Sequence, residues 1–147
     1  MSEAVWKKNN FLGYDLYDLK DHRYHPFIRK EGKEDWQSIG PFFFLPESLG
    51  IAMQIIRRSD KADLCVVDEV GPLELESKGV WPALEGVLLR SRGNFLFVVR
   101  ESILEKFLAR IDREDTQVFS IEQKNIQTVL AEFLLSDLKK RRRSIQK

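Results

Sequence analysis

Leu64-Cys65-Val66-Val67 is an uninterrupted apolar run that stops at two adjacent acids, Asp68 and Glu69, and leads into Val70-Gly71-Pro72-Leu73-Glu74-Leu75. A run of this kind suits a strand covered on both faces, and the Gly-Pro pair forces a turn directly after it. The pattern around it supports that reading. Pro46-Glu47-Ser48 suits a first helical turn, with Leu49, Met53 and Ile56 on one face of a helix reaching about Arg58. After the strand at 64–68 the sequence predicts a helix over 80–89, a second apolar strand over 95–99 and a helix over 103–111. A short strand over 117–120 and a long helix over 122–138 complete the alternation, with Ile126, Val129, Leu130, Phe133 and Leu134 on the last apolar face. Continuous strands separated by helices imply a parallel α/β sheet covered on both sides.

Residues 1–45 read differently. Phe11-Leu12-Gly13-Tyr14-Asp15-Leu16-Tyr17-Asp18-Leu19 alternates over its middle portion, and Asn9-Asn10 before it closes a hairpin with Val5-Trp6-Lys7. His25-Pro26-Phe27-Ile28 and Pro41-Phe42-Phe43-Phe44-Leu45 each carry a proline and a short apolar run, as expected of strands at the rim of a small antiparallel sheet. The expected organisation is one domain over residues 1–138, made of this antiparallel region (1–45) and the alternating core (46–138), followed by a basic tail at 139–147.

With 147 residues, 43% of them hydrophobic, the chain has the material for one ordinary core. Charged residues make up 32% yet sum to +1, so no domain-wide field steers it to nucleic acid or an acidic membrane. The local exception is Lys139-Lys140-Arg141-Arg142-Arg143, which reads as a solvated chain end or as a phosphate contact. Cys65 is the single cysteine, which excludes an intramolecular disulfide and a structural zinc cluster, and it reads as a core thiol. The first residues lack the basic and apolar regions of a signal peptide, and no apolar stretch approaches the roughly 18 residues that cross a bilayer, so a cytoplasmic location is the default expectation.

In a parallel α/β sheet, ligands bind beyond the carboxyl ends of the strands, where Asp68 and Glu69 fall. An aspartate there can hold Mg²⁺ directly or through water. A second acid one residue on, pointing the other way, can take a proton from water attacking a phosphoryl group. The plainer reading is that the two acids end the strand and cap the turn. A nucleotide-hydrolysing site also needs a phosphate cradle of the form GxxxxGK[ST], and none of the eight glycines supplies one. Only Gly32 precedes a lysine, and Gly32-Lys33 is followed by Glu34, so it reads as an exposed turn.

Val66-Val67-Asp68-Glu69-Val70-Gly71-Pro72-Leu73-Glu74-Leu75 resembles the Walker B segment of the nucleoside-triphosphatase family first described from thermophiles. Leu12-Gly13-Tyr14-Asp15-Leu16 is similar to the family's GF-D-hydrophobic strand, Gly40-Pro41-Phe42-Phe43-Phe44 stands where its G-x-[YF] strand lies, and Val98-Val99-Arg100-Glu101-Ser102 resembles the strand end that carries an arginine. The likeness runs from about Gly13 to Leu135 and is most specific over residues 66–75. It implies a three-layer parallel sheet of the P-loop NTPase type without its first β-loop-α unit, which would lie upstream of Met1 and place a strand between those at 95–99 and 117–120. It further implies Asp68 as the Mg²⁺ ligand, Glu69 as the water-activating residue and Glu74 as a nucleotide contact or a residue of the turn. Arg100 would stabilise transferring charge, or else pair with Glu101 or Glu105 on the surface.

Trp36 and Trp81 offer stacking surfaces for a base or ordinary core packing, and His22 and His25 lie three apart beside carboxylates without a convincing metal-ligand pattern. Two function classes follow. One is Mg²⁺-dependent hydrolysis of a nucleoside triphosphate, weak or absent in this chain alone because the cradle is missing. The other is a partial P-loop domain that acts as a binding or assembly module, as a homodimer or completed by a P-loop-bearing partner chain. A membrane is not expected as a partner, and nucleic acid ranks last.

Overall fold

The computed structural model describes residues 1–91 and 93–145. They belong to two compact units, Met1–Asp112 and Arg113–Lys147.

The first unit opens with β1 (Ser2–Lys7) and β2 (Asn10–Asp18), a hairpin whose turn is Lys8-Asn9, with Lys8 at φ 48° and Asn9 at φ 62°. Two consecutive left-handed residues make the two-residue turn whose twist matches that of the strands, so the hairpin closes one residue earlier than Asn9-Asn10. With β3 (Arg23–Arg29), β4 (Ser38–Ile39) and β5 (Phe42–Phe44) these strands form a five-stranded antiparallel sheet in the order β1-β2-β3-β5-β4. The sequence places Pro26 at the rim, but β3 lies inside the sheet. Its proline is tolerated because it stands opposite Asp15 at a bulge between Tyr14 and Asp15, and β5 bonds only the far end of β3 through Ile28 and Arg29.

Gly13 is where β2 and β3 come closest. It has φ +145°, and a Cβ there would stand 1.9 Å from the Ile28 carbonyl oxygen. Asp18, at the end of β2, is buried and accepts hydrogen bonds from the backbone N–H groups of Lys20 (2.8 Å) and Asp21 (3.4 Å), closing the turn into β3. The Lys20 bond is the main reason the Asp18 carboxyl is held below its ordinary value of 3.8, against the opposing effect of burial.

Helix α1 (Pro46–Arg58) matches the sequence expectation, with Pro46 in its first turn and Leu49 and Ala52 buried. Ser48 donates from its hydroxyl to the Pro26 carbonyl at 2.6 Å, tying the helix to β3. Then come β6 (Leu64–Val70), the short α2 (Pro72–Leu75), α3 (Trp81–Arg90), β7 (Asn94–Val99) and α4 (Leu104–Ile111). β6 and β7 pair in parallel as a two-stranded sheet. Its inner face packs Val67, Phe95, Phe97 and Val99 against Val70, Trp81, Leu84 and Phe107, with Phe107 edge-on to Phe97 at 5.0 Å between ring centroids. On the opposite face Val66 and Val98 are exposed. The chain is therefore mixed α/β, with an antiparallel sheet larger than the parallel one.

In the second unit, α5 (Ile126–Ile145) starts four residues later than the pattern from Glu122 suggests. Asn125 stands at φ 61°, which no helix interior accepts, and its carbonyl receives the Val129 N–H at 3.1 Å. The strand expected over 117–120 has no ladder among the described residues. Phe119 instead packs on Phe133 of α5, with 5.4 Å between ring centroids. The backbone of the 139–143 basic run lies in α5; the side chains of 140–143, and residues 146–147 of the expected basic tail, lie outside the described residues. No helix among the described residues is long and apolar enough to cross a membrane.

Two expectations follow. Gly13→Ala adds a close contact to a backbone strain of about 1–3 kcal/mol, so it lowers the denaturation midpoint, and an unchanged midpoint would contradict the close approach of β2 and β3. Because the Asp18 carboxyl lies below its unfolded value of 3.8, its stabilisation is complete above that value and is lost as pH falls through the folded one. The stability gap between wild type and Asp18→Asn, followed by urea unfolding, is therefore constant near neutrality and narrows on acidification below about pH 4.

Candidate functional site

β6 begins as a regular strand, with Cys65 opposite Phe95 and Val67 opposite Phe97. Continued alternation would send residue 69 toward the helices α3 and α4. The next registered pair is instead Val70 with Val99, so Asp68 and Glu69 together stand opposite the single residue Val98. This is a β-bulge, and Glu69 absorbs it in the left-handed region at φ 66°. Val70 takes the core position with no exposed surface, and Asp68 and Glu69 are both exposed. The two acids do not sit on opposite faces as a regular strand would place them.

Arg100 follows the last residue of β7, and its Nε donates to Glu69 Oε1 at 2.6 Å. Its Nη2 contacts the same oxygen, so both contacts of the guanidinium fall on Oε1. The pair is open to solvent, with 63% of the Arg100 side chain and 52% of the Glu69 side chain exposed. The arginine thus meets Glu69 and neither of the surface partners Glu101 and Glu105. Asp68 makes no hydrogen bond or ion pair among the described residues.

The turn after the bulge is held from several directions. Pro72 sets the first turn of α2, and Glu74 reaches back so that Oε2 accepts the Gly71 N–H at 3.0 Å while Oε1 accepts the Val80 N–H at 3.3 Å. Glycine suits position 79 beside this carboxylate: its φ is +61°, where a side chain is strained, and a Cβ would press on Glu74 Oε1. Its own N–H donates to Gln37 Oε1 at 2.7 Å. From α4, Arg110 donates to the Leu75 carbonyl (3.0 Å) and the Ser77 hydroxyl (2.6 Å), with its guanidinium 4.2 Å from the centroid of the Trp81 ring. The geometry gives Glu74 the work of holding the turn.

Trp81 is 2% exposed and packs in the core, which leaves no face for a base. Trp36 is half-buried, with the Lys33 ammonium 5.9 Å from its ring. His22 Nδ1 shares a hydrogen bond of 3.0 Å with the Tyr17 hydroxyl. No group of three His, Cys, Asp or Glu side chains suited to a metal occurs among the described residues. The donor set at the bulge nevertheless fits Mg²⁺, which keeps several waters and is commonly held by one or two carboxylates plus the substrate's phosphates. Asp68, exposed and unengaged among the described residues, is such a carboxylate.

Sequence reasoning did not find the bulge or the anchors Gln37, Ser77 and Arg110. The bulge has a signal: the core-facing residues fall at 65, 67 and 70, a spacing that a regular strand does not produce. Gln37 and Ser77 carry none, because their partners are distant backbone and an arginine 33 residues away.

A family model described as NTPase matches residues 1–134. Curated relatives are all named nucleoside-triphosphatase THEP1. That of Hyperthermus butylicus is 36% identical over 74 residues, covering 50% of this chain and 39% of the relative. That of Metallosphaera sedula is 37% identical over 46 residues, 31% of this chain and 26% of the relative. That of Archaeoglobus fulgidus is 29% identical over 122 residues, 78% of this chain and 65% of the relative. The chain therefore spans less than two thirds of the length of each. No solved structure matches it significantly.

The left-handed conformation of Glu69 has a measurable consequence. A side chain costs about 1 kcal/mol or more there and glycine costs almost nothing. Glu69→Gly is expected to unfold at higher denaturant than Glu69→Ala, by about 1 kcal/mol in stability. Equal stability of the two variants would mean that residue 69 is not left-handed.

Proposed function

Because the chain belongs to the NTPase family, whose model spans residues 1–134, we propose that it takes part in the hydrolysis of a nucleoside triphosphate to the diphosphate and phosphate. The observation that carries the reading is the bulge, which presents Asp68 and Glu69 side by side at the carboxyl end of a parallel strand pair, with Arg100 touching the second acid. Asp68 would hold Mg²⁺. The chemistry supplied by a bound Mg²⁺ would be neutralisation of negative charge on the triphosphate.

Glu69 would accept the proton of the attacking water, a contribution of about 10²–10⁴-fold in comparable sites. Arg100 supplies a planar, permanently charged donor for the oxygens of the transferring group. The positioning that phosphoryl transfer demands is only part-built from these residues, since the 147-residue sequence holds no GxxxxGK[ST] loop. Turnover by this chain alone is accordingly expected to be slow or nil.

A second reading has its own support. The β6–β7 sheet has two strands, with Val66 and Val98 exposed on one face and the outer edge of each strand unpaired among the described residues. Parallel sheets are ordinarily covered on both faces and paired beyond two strands. The chain would then act as a binding or assembly module, completed by a second copy or by a partner chain that bears a phosphate-binding loop.

Calorimetric titration with Mg·ATP and Mg·GTP tests the first reading. Expected is micromolar binding that chelation and Asp68→Asn each weaken at least tenfold, with any phosphate release falling about 10²–10⁴-fold in Glu69→Gln. No binding up to millimolar nucleotide would overturn it. The module reading expects a dimer mass in sedimentation, or assembly with a loop-bearing chain, and a monomer that captures neither would remove it.

A further inference from the structure

The same guanidinium that would meet a phosphate group is engaged by the carboxylate that would activate water. Arg100 presents Nε and Nη2 to Glu69 Oε1, and these are the edge donors with which arginine grips phosphate oxygens in pairs. In this state the proposed base and the proposed anion-binding group occupy each other. We propose that this ion pair is the resting latch of the site, and that a polyphosphate opens it by drawing Arg100 from Glu69 onto its own oxygens. The inference rests on the hydrolase reading above, and it makes the substrate's own charge the signal that frees the base.

Three observations support a latch over a strut. Both side chains are more than half exposed, so an anion reaches the guanidinium without any backbone opening. Exposed pairs of this kind are weakly held and easily exchanged, whereas a phosphate chain offers several anionic oxygens at once. The backbone beneath is fastened: Glu69 is fixed in the bulge with Val70 fully buried, and the following turn is tied by Glu74, Gln37 and Arg110. The movable parts are therefore the two side chains. Asp68, adjacent and exposed but not joined to Arg100, supplies an internal control, because it carries the same charge without the contact.

The test is calorimetric binding of inorganic tripolyphosphate in the presence of EDTA to wild type, Glu69→Gln, Asp68→Asn, Arg100→Gln and the double variant Glu69→Gln/Arg100→Gln. Removing the competitor from Arg100 is expected to tighten binding about tenfold in Glu69→Gln. Asp68→Asn, which only removes a nearby negative charge, is expected to change it by about twofold or less at physiological ionic strength. Arg100→Gln abolishes binding, and the double variant matches it. Equal tightening in Glu69→Gln and Asp68→Asn would reduce the effect to general charge and overturn the latch. No gain in Glu69→Gln, or no binding by any variant, would overturn it as well. Binding of Mg·ATP and Mg·GTP is scored separately, so failure of the hydrolase reading shows as absent nucleotide binding with the order of tripolyphosphate affinities intact.

Discussion

One extra residue in β6 governs what the first unit can do. In a regular strand Glu69 would face α3 and α4, and burying an unpaired carboxylate there costs several kcal/mol. The bulge exchanges that penalty for a left-handed side-chain residue, at about 1–2 kcal/mol. It also seats Val70 in the core, and full burial of a side chain of this size contributes about 1.5–3 kcal/mol. The distorted strand is therefore the favourable one. Its by-product is a pair of adjacent acids held outside the core at the end of a parallel strand pair.

The distortion is kept in place by contacts drawn from across the unit. Glu74 closes the turn locally, Gln37 reaches it from the segment before β4, and Arg110 clamps it from α4 while lying on Trp81. Each anchor satisfies a backbone group that the bulge and the short α2 would otherwise leave unpaired. A rigid backbone beneath two solvent-exposed charged side chains is a division of labour suited to charge-driven rearrangement: Arg100 and Glu69 can part while Asp68 and the turn stay where they are.

Much of this was legible from local pattern. Pro46 and the spacing of Leu49, Met53 and Ile56 marked α1, and the runs before Asp68 and Arg100 marked the two parallel strands, because periodicity and proline act over a few residues. The Lys8-Asn9 turn was offset by one residue, since both turn residues must be left-handed and lysine carries no signal for that. Gln117-Val118-Phe119-Ser120 misled because a short β-prone stretch becomes a strand only where a neighbour offers it a ladder, and Phe119 found Phe133 instead. Trp81 shows the same limit at the site, where burial in the core removed the stacking face that its chemistry suggested.

By itself the sequence determined the mixed α/β class, the presence of two adjacent acids after an apolar strand, the arginine at the end of the next one, and the lack of a GxxxxGK[ST] loop within these residues. These are properties of composition and short spacing. Only the tertiary structure decided that both acids are exposed, that Glu69 meets Arg100, 31 residues away, and that Glu74 is spent on the turn. Those outcomes depend on strand register and on which backbone groups lack partners. Both are settled by packing between elements distant in the chain, where no short spacing records them.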